Sequence, residues 1–396
     1  MLRRKNYAMP WMLSALLFFN SSFAVIQAEE ETSAVEEEVQ EVFEEGPVTE
    51  TVSEKQDETI SFEEEIFEAE EEELLQVTEE PEPEVNEELE LPEEEPAETA
   101  EEEFAAAAPG DVNCGDNITW SISEGVLTLS GSGAMYDYDP IDNLMPWVEE
   151  KNSIEKVVIE DGITSIGNYA FWEFTSLKEI SIPDSVKRIG DYAFYDDFRT
   201  NSSNGYYGEM TFPSALEYIG DYAFYRNIYL PFHSAEIPSG VTYIGEMAFY
   251  SCERLTGELV LPEGLTGIKD YTFLFSGISG RLVIPSTVTS IGYDAFSRLK
   301  ITSLTLSEGV KSIGEYTFDG CTSLAEINLP DSLESIGVRS FRDVAVTELV
   351  IPKGIKQLAY QAFDNARQLK KVTFTGDVPQ TGTEVFRGAN VMGYYP

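Results

Sequence analysis

Few residues in this 396-residue sequence have side chains that usually perform catalysis. The chain contains one histidine, His233, and three cysteines, so a zinc site built on several imidazoles or a Ser-His-Asp triad has almost no candidates. No nucleophile elbow, phosphate-binding loop or His-Glu-x-x-His motif occurs. The 38 acidic residues after residue 103 could supply a glycosidase pair, but acids with no identifiable cleft usually form a solvated surface. The sequence therefore predicts a non-enzymatic protein with no metal and no cofactor.

Binding through aromatic side chains is the chemistry that the sequence does support. Tyrosine or tryptophan residues stand three apart at three successive places, and two long insertions rich in Tyr, Ser, Asn and Gly follow them. Such rigid rings among small polar residues are typical of recognition loops, although the rings could instead shield the loops' own apolar atoms. The predicted contact patch consists of Trp172, Tyr195, Phe198, Tyr206, Tyr207, Tyr225, Tyr229 and Phe232.

The formal charge of −48 is unevenly distributed. Residues 1–28 have three basic residues and no acid, whereas residues 29–103 have 35 acids against one base. The remaining residues have 38 acids and 21 bases. A surface this negative repels phosphate groups, so neither nucleic acid nor an anionic membrane is an expected partner.

The N-terminal residues resemble an export signal followed by a spacer. Residues 1–28 have a basic start, a short apolar run and small residues, which is typical of a signal peptide, and no second apolar stretch is long enough to span a bilayer. Residues 29–110 are too acidic and proline-interrupted to form a core, which predicts a disordered spacer. We expect the mature protein to be secreted or displayed at the cell surface without a membrane span.

From residue 154 to residue 396 the sequence repeats about every 23 residues. A 13-residue module of fixed length begins at an apolar residue, has Ile, Val or Leu four residues later and ends at a phenylalanine, whereas the segments between modules range from 9 to 17 residues. This pattern predicts a solenoid of ten stacked coils, because insertions at one point of a repeat lie on one side of an array. The ten phenylalanines are Phe171, Phe194, Phe224, Phe249, Phe273, Phe296, Phe318, Phe341, Phe363 and Phe386.

Each coil is expected to contain a short parallel strand and a short helical turn. Apolar residues two apart predict a strand with one buried face, which the following proline ends. The glycine after the second Ile is interpreted as room at a tight corner, because Lys269 and Ala359 can replace it. Side-chain acceptors next to this glycine are predicted to cap the helical turns; they are Asn168, Asp191, Asp221, Glu246, Asp270 and Glu315.

The first coil needs a cover, and residues 111–153 are predicted to supply it. Residues 117–130 alternate apolar and polar side chains around Glu124-Gly125, which indicates a β-hairpin. Cys252 and Cys321 occupy equivalent places three coils apart, too far for a disulfide, so buried unpaired thiols are expected.

The motif in Leu177–Phe194 resembles the BspA-type leucine-rich repeats of bacterial surface proteins. The stretch that begins at Cys114 and the pair Pro146-Trp147 also resemble that family's N-terminal cap. The resemblance implies a leucine-rich-repeat solenoid that is mainly β, and adhesion to a host matrix protein or another cell. Two other interpretations stay open, a carbohydrate-binding module that recognises a glycan and a passive surface spacer.

Overall fold

The computed structural model describes residues 113–197, 210–229, 232, 234–389 and 391–394. The predicted signal peptide and acidic spacer, together with Phe198, Tyr206, Tyr207 and His233, lie outside these described residues. Within the described ranges, no helix is both long and apolar enough to cross a membrane.

The described chain is a solenoid of short strands joined by turns. Among the described residues, antiparallel pairing is confined to the first three strands, and the strands of the coils pair in parallel. In chain order the first ten strands are β1 (Asn113–Gly115), β2 (Ile118–Ser123), β3 (Val126–Gly131), β4 (Gly133–Ala134), β5 (Lys156–Ile159), β6 (Ile163–Ile166), β7 (Glu179–Ser181), β8 (Arg188–Ile189), β9 (Tyr218–Ile219) and β10 (Tyr243–Ile244). The others are β11 (Ser279–Ile284), β12 (Ser290–Ile291), β13 (Lys300–Leu306), β14 (Ser312–Ile313), β15 (Glu326–Asn328), β16 (Ser335–Ile336), β17 (Glu348–Ile351), β18 (Gln357–Leu358), β19 (Lys371–Phe374), β20 (Gln380–Thr381) and β21 (Met392–Tyr394).

The strands of the coils form two lines, and between β10 and β11 the coils contribute isolated β-bridges instead of strands. One line contains the sheets β1-β2-β3-β5-β7, β11-β13-β15 and β17-β19-β21, and the other contains β10-β9-β8-β6-β4 and β12-β14-β16-β18-β20. The first sheet ends at β7, before the long insertion that follows Phe194. Strand β3 pairs in parallel with β5, so the second hairpin strand supplies the first rung of the stack.

The ten phenylalanines form one row along the solenoid. The ring centroids of successive residues, from Phe171 to Phe386, are 5.1 to 5.6 Å apart and the rings are stacked. Trp147 stacks on Phe171 at 5.9 Å and extends the row into the cap. The predicted parallel-strand solenoid is confirmed. Its stability depends on the stack, because each ring covers the next and a single coil has no closed core.

The corner glycine provides room, as the sequence predicted. Gly190 does not have a positive φ, and a Cβ atom on it would lie 2.6 Å from the backbone nitrogen of Asn168 on the preceding coil. The coils pass so close at this corner that a side chain on Gly190 would displace the neighbouring backbone.

The predicted helical turns and their caps are wrong. Among the described residues the one helix is a 3₁₀ segment, Val148–Ser153, and the coil corners are turns with two left-handed residues four apart, such as Tyr192 (φ 54°) and Asp196 (φ 59°). Left-handed residues end helical winding. Four of the acceptor side chains instead accept a backbone N–H of the next coil; for example, Asp221 N–H donates to Asp191 Oδ1 at 3.0 Å.

The three cysteines are buried free thiols, as expected for Cys252 and Cys321. Cys252 Sγ donates to the Phe224 carbonyl at 3.0 Å, and Cys321 Sγ donates to the Phe296 carbonyl at 3.2 Å. Burial raises the pKa of Cys321 to about 12, so at neutral pH its thiol is protonated and acts as a small packing group.

Candidate functional site

Two stacks of aromatic rings lie side by side on the turns of the N-terminal coils. In the first stack, Tyr192 lies 4.6 Å from Tyr169 and 4.7 Å from Tyr222 between ring centroids. In the second, Tyr225 lies 4.7 Å from Tyr195 and 4.8 Å from Tyr250. The stacks touch each other, with centroid distances from 5.5 to 6.5 Å. We call this surface the tyrosine face; its members are Tyr169, Trp172, Tyr192, Tyr195, Tyr222, Tyr225 and Tyr250.

The turn conformation explains the first stack. Tyr169, Tyr192 and Tyr222 all have φ between 53° and 55°, so their side chains leave equivalent turns in the same direction. Coils separated by about 4.8 Å then bring the rings into face-to-face contact. Tyr192 lies between the other two rings, and all three side chains are half-buried.

The structure places two predicted contact residues, Trp172 and Tyr195, half-buried on this face. Tyr225 also belongs to the face, but its side chain is only 8% exposed, and burial raises the pKa of its hydroxyl well above the usual value. Tyr225 therefore packs mainly against its neighbours, and its role as a contact residue stays a prediction. Tyr229 is partly buried against the core, with the Arg254 guanidinium 5.6 Å from its ring centroid.

Phe232 is part of the core, and its role as a contact residue stays a prediction. It is 6% exposed and its ring lies 5.3 Å from Phe212, 5.6 Å from Phe224 and 6.0 Å from Phe249. A β-bridge to Met210 holds its backbone against the third coil. Phe232 thus adds an aromatic ring to the core beside the third and fourth coils. Phe198, Tyr206 and Tyr207 lie outside the described residues, so their place in the patch stays a prediction.

A third aromatic stack was missed by the sequence analysis. Tyr218 and Tyr243 stack at 4.8 Å, the Arg188 guanidinium lies 5.0 Å from the Tyr218 ring and the Lys269 ammonium lies 5.7 Å from the Tyr243 ring. Tyr218 and Tyr243 each stand directly before the second Ile of their modules. This shared position in consecutive repeats could have predicted that the two rings stack.

A row of carboxylates lies along the corner between these stacks. Asp221 Oδ1 accepts hydrogen bonds from Glu246 N–H at 2.9 Å and from the Tyr243 hydroxyl at 3.0 Å. Asp270 Oδ1 continues the row by accepting from Tyr293 N–H at 2.8 Å. Burial raises the pKa of Asp191 and of Glu246, with the neighbouring carboxylates as a smaller cause.

The second stack is formed by the residues that directly follow the repeat phenylalanines, and in the C-terminal coils this repeat position holds charged residues. There it is occupied by Asp319, Arg342, Asp364 and Arg387. Arg342 donates two hydrogen bonds to Asp319 at 2.6 and 2.9 Å, and Arg387 donates two to Asp364 at 2.8 and 2.7 Å. The fold therefore accepts either stacked rings or ion pairs at this position.

Other sites offer little chemistry. An open groove of about 360 Å³ is lined, among the described residues, by Met210, Thr211, Phe212, Ser214, Ser234, Glu236, Pro238 and Ser239, of which Glu236 is ionisable. No group of three or more His, Cys, Asp or Glu residues in the described part of the chain is arranged to hold a metal ion.

Comparisons with known proteins give one family. The model described as BspA type leucine rich repeat region matches six copies over residues 149–204, 198–301 and 289–393, which together cover more than half of the chain. No curated protein matches the sequence.

Several solved structures are similar to the chain. A leucine-rich repeat protein from Eubacterium ventriosum is 24% identical, with 72% of this chain and 95% of that chain covered and a TM-score of 0.37. One from Bacteroides ovatus is 18% identical, with coverages of 71% and 98% and a TM-score of 0.37. A leucine rich cell surface protein from Faecalibacterium prausnitzii is 19% identical, with coverages of 65% and 87% and a TM-score of 0.31.

Proposed function

Because the chain belongs to the BspA-type leucine-rich repeat family, we propose that it is an exported, non-enzymatic binding protein whose tyrosine face captures a protein partner at the bacterial cell surface. Export rests on the signal-like N-terminus, and surface display rests on the resemblance of the repeats to those of bacterial surface proteins. The partner is a protein on a host matrix or on another cell.

The observation that carries the proposal is the uneven distribution of aromatic rings. One structural position holds Trp172, Tyr195, Tyr225 and Tyr250 in the N-terminal coils but Asp and Arg ion pairs in the C-terminal coils. Because the solenoid packs with either aromatic rings or ion pairs at this position, packing alone does not require four consecutive aromatic residues there. Tyrosine is enriched in protein-binding surfaces, where it supplies contact area at a low entropic cost.

Ring orientation favours a protein over a glycan. In both stacks the ring faces lie against one another at 4.6 to 4.8 Å, so the partner meets ring edges and polar groups. One face of Trp172 has the Lys151 ammonium 4.5 Å from its ring centroid. A sugar that stacks on an aromatic face therefore finds little open ring surface here.

The test is a binding screen with a matched pair of variants. Residues 100–396 contain the whole described core, from Cys114 to Val385, and form a compact unit. This fragment is screened against host matrix proteins and against a glycan array. Any partner found is then tested with Tyr195→Ser/Tyr222→Ser and with the control Tyr293→Ser/Tyr316→Ser, which removes two half-buried tyrosines from later coils.

We expect capture to fall at least tenfold in the first variant and to stay within twofold in the control, since burial of two interface tyrosines is worth about 1 kcal/mol or more each. Circular dichroism confirms that both variants are folded. Equal capture by all three proteins would refute the tyrosine face, blank screens would favour a passive spacer, and binding to glycans alone would favour a carbohydrate module.

A further inference from the structure

Lysine and arginine side chains of the chain itself make cation–π contacts with aromatic rings of the N-terminal coils. The Lys151 ammonium lies 4.5 Å from the Trp172 ring centroid, and the Tyr218–Tyr243 pair lies between Arg188 and Lys269. A cation over a ring face is attracted by the negative charge density of the π system. These contacts show which kind of group this part of the surface accepts.

The neighbouring carboxylates exceed these cations in number. Asp191, Asp221, Glu246 and Asp270 follow one another on four successive coils. Arg188 also donates to Asn168 Oδ1 at 3.1 Å and lies 3.6 Å from Asp137 Oδ1, so it is shared with the preceding coil. Four carboxylates about 4.8 Å apart extend over about 14 Å, which is the length of four or five extended residues of a peptide.

The charge of the whole folded region has the same asymmetry. Residues 104–277, which include the coils of the tyrosine face, have 26 acids against 9 bases, whereas residues 278–396 have 12 acids against 12 bases. A cationic segment approaching the solenoid is therefore steered toward the N-terminal coils, and an anionic segment is repelled from them.

We propose that the tyrosine face, together with the carboxylate row Asp191, Asp221, Glu246 and Asp270, recognises a segment of a partner protein that is rich in lysine and arginine. This inference rests on the proposed function and adds the chemistry of the partner. The carboxylates attract the charged ends of the side chains, and ring edges and hydroxyls pack against their aliphatic stems. An acidic segment of the same length would meet like charges and would not bind.

The substitution Asp191→Asn/Asp221→Asn removes two charges with little structural change, and the chain itself supplies the precedent. Asn168 occupies the same column and its Oδ1 accepts the Asp191 N–H at 2.8 Å, the same kind of bond that Asp191 Oδ1 accepts from Asp221 N–H at 3.0 Å. The control is Asp331→Asn/Glu348→Gln, which removes two exposed carboxylates from the C-terminal coils.

The experiment measures binding of a fluorescent ten-residue peptide of alternating lysine and serine to residues 100–396 at 50 mM NaCl. A peptide with glutamate in place of lysine is the negative probe. We expect the Asp191→Asn/Asp221→Asn variant to bind the lysine peptide about fivefold to thirtyfold more weakly, the control to bind within twofold of the parent, and the affinity to fall steeply at 500 mM NaCl.

The outcomes separate the two proposals. Equal binding of the lysine peptide by both charge variants and the parent, or equal loss in both charge variants, would overturn cation recognition at this row. If Tyr195→Ser/Tyr222→Ser nevertheless abolishes capture of a protein partner, the proposed function stands and the cationic chemistry is wrong. Binding of the glutamate peptide as tightly as the lysine peptide would also overturn the inference.

Discussion

Replacing Asp294 by asparagine should stabilise the protein at alkaline pH and leave it unchanged at acidic pH. Burial, with the charge of Asp319 as a smaller cause, raises the pKa of Asp294 from 3.8 to about 7 in the folded protein. Asp294 occupies the left-handed turn position (φ 49°) that tyrosines occupy in the neighbouring coils. Asparagine adopts this conformation readily, so the substitution removes the charge without adding backbone strain.

The magnitude follows from proton linkage. Because the folded-state pKa lies above the unfolded-state value, this carboxyl favours folding in its protonated form; its contribution is full below pH 3.8 and is lost as the pH rises toward 7. Each pKa unit is worth about 1.4 kcal/mol, so the ionised carboxylate costs the folded state up to about 4 kcal/mol, and less where water screens the half-buried group.

The assay is urea unfolding of the parent and of Asp294→Asn at pH 4, 6 and 8. We expect nearly equal midpoints at pH 4, a gain for the variant at pH 6 and a larger gain at pH 8, on the order of 1 to 4 kcal/mol. Asp377→Asn, which changes an exposed aspartate, serves as the control and should follow the parent at every pH. A gain that is the same at pH 4 and pH 8, or a loss at pH 8, would refute this account of Asp294.

Three further predictions concern the core and its ion pairs. Phe273→Ala should lower the free energy of unfolding by about 3 to 5 kcal/mol, measured by urea unfolding, because it interrupts the stacked row at a fully buried ring. Cys252 and Cys321 should resist an aromatic disulfide reagent in the native protein and react only after denaturation; rapid reaction under native conditions would contradict their burial. Arg342→Ala should destabilise by about 3 to 5 kcal/mol because Asp319 is then left buried without its bidentate partner, whereas the added change Asp319→Ala should recover part of this loss in thermal melts.

The repeat itself was readable from the sequence because each coil contacts only its neighbours. A residue that every coil needs therefore recurs in every repeat of the sequence. This recurrence predicted that the phenylalanines lie in one row and that the corner glycine provides room between adjacent coils. The position of Cys252 and Cys321 within the repeat also fixed their separation. The acceptor side chains were recognised by type, but their partners are N–H groups of the next coil rather than of a helix.

The binding surface could be predicted only in part. Spacing indicated that Tyr192 and Tyr195 continue lines of aromatic rings, and the structure stacks those lines. Spacing did not reveal that Tyr225 is covered by its neighbours or that Phe232 returns to the core. These depend on the path of the irregular insertions.

The sequence by itself determined the stacked fold, its row of rings and the uneven charge along it, because all three are properties of a one-dimensional repeat. Only the tertiary structure decided which side chains face the solvent and which cations lie over the rings of Tyr218 and Tyr243. The physical reason is that left-handed turn residues and insertions set the direction of a side chain through contacts between coils, and residue spacing within one coil does not contain those contacts.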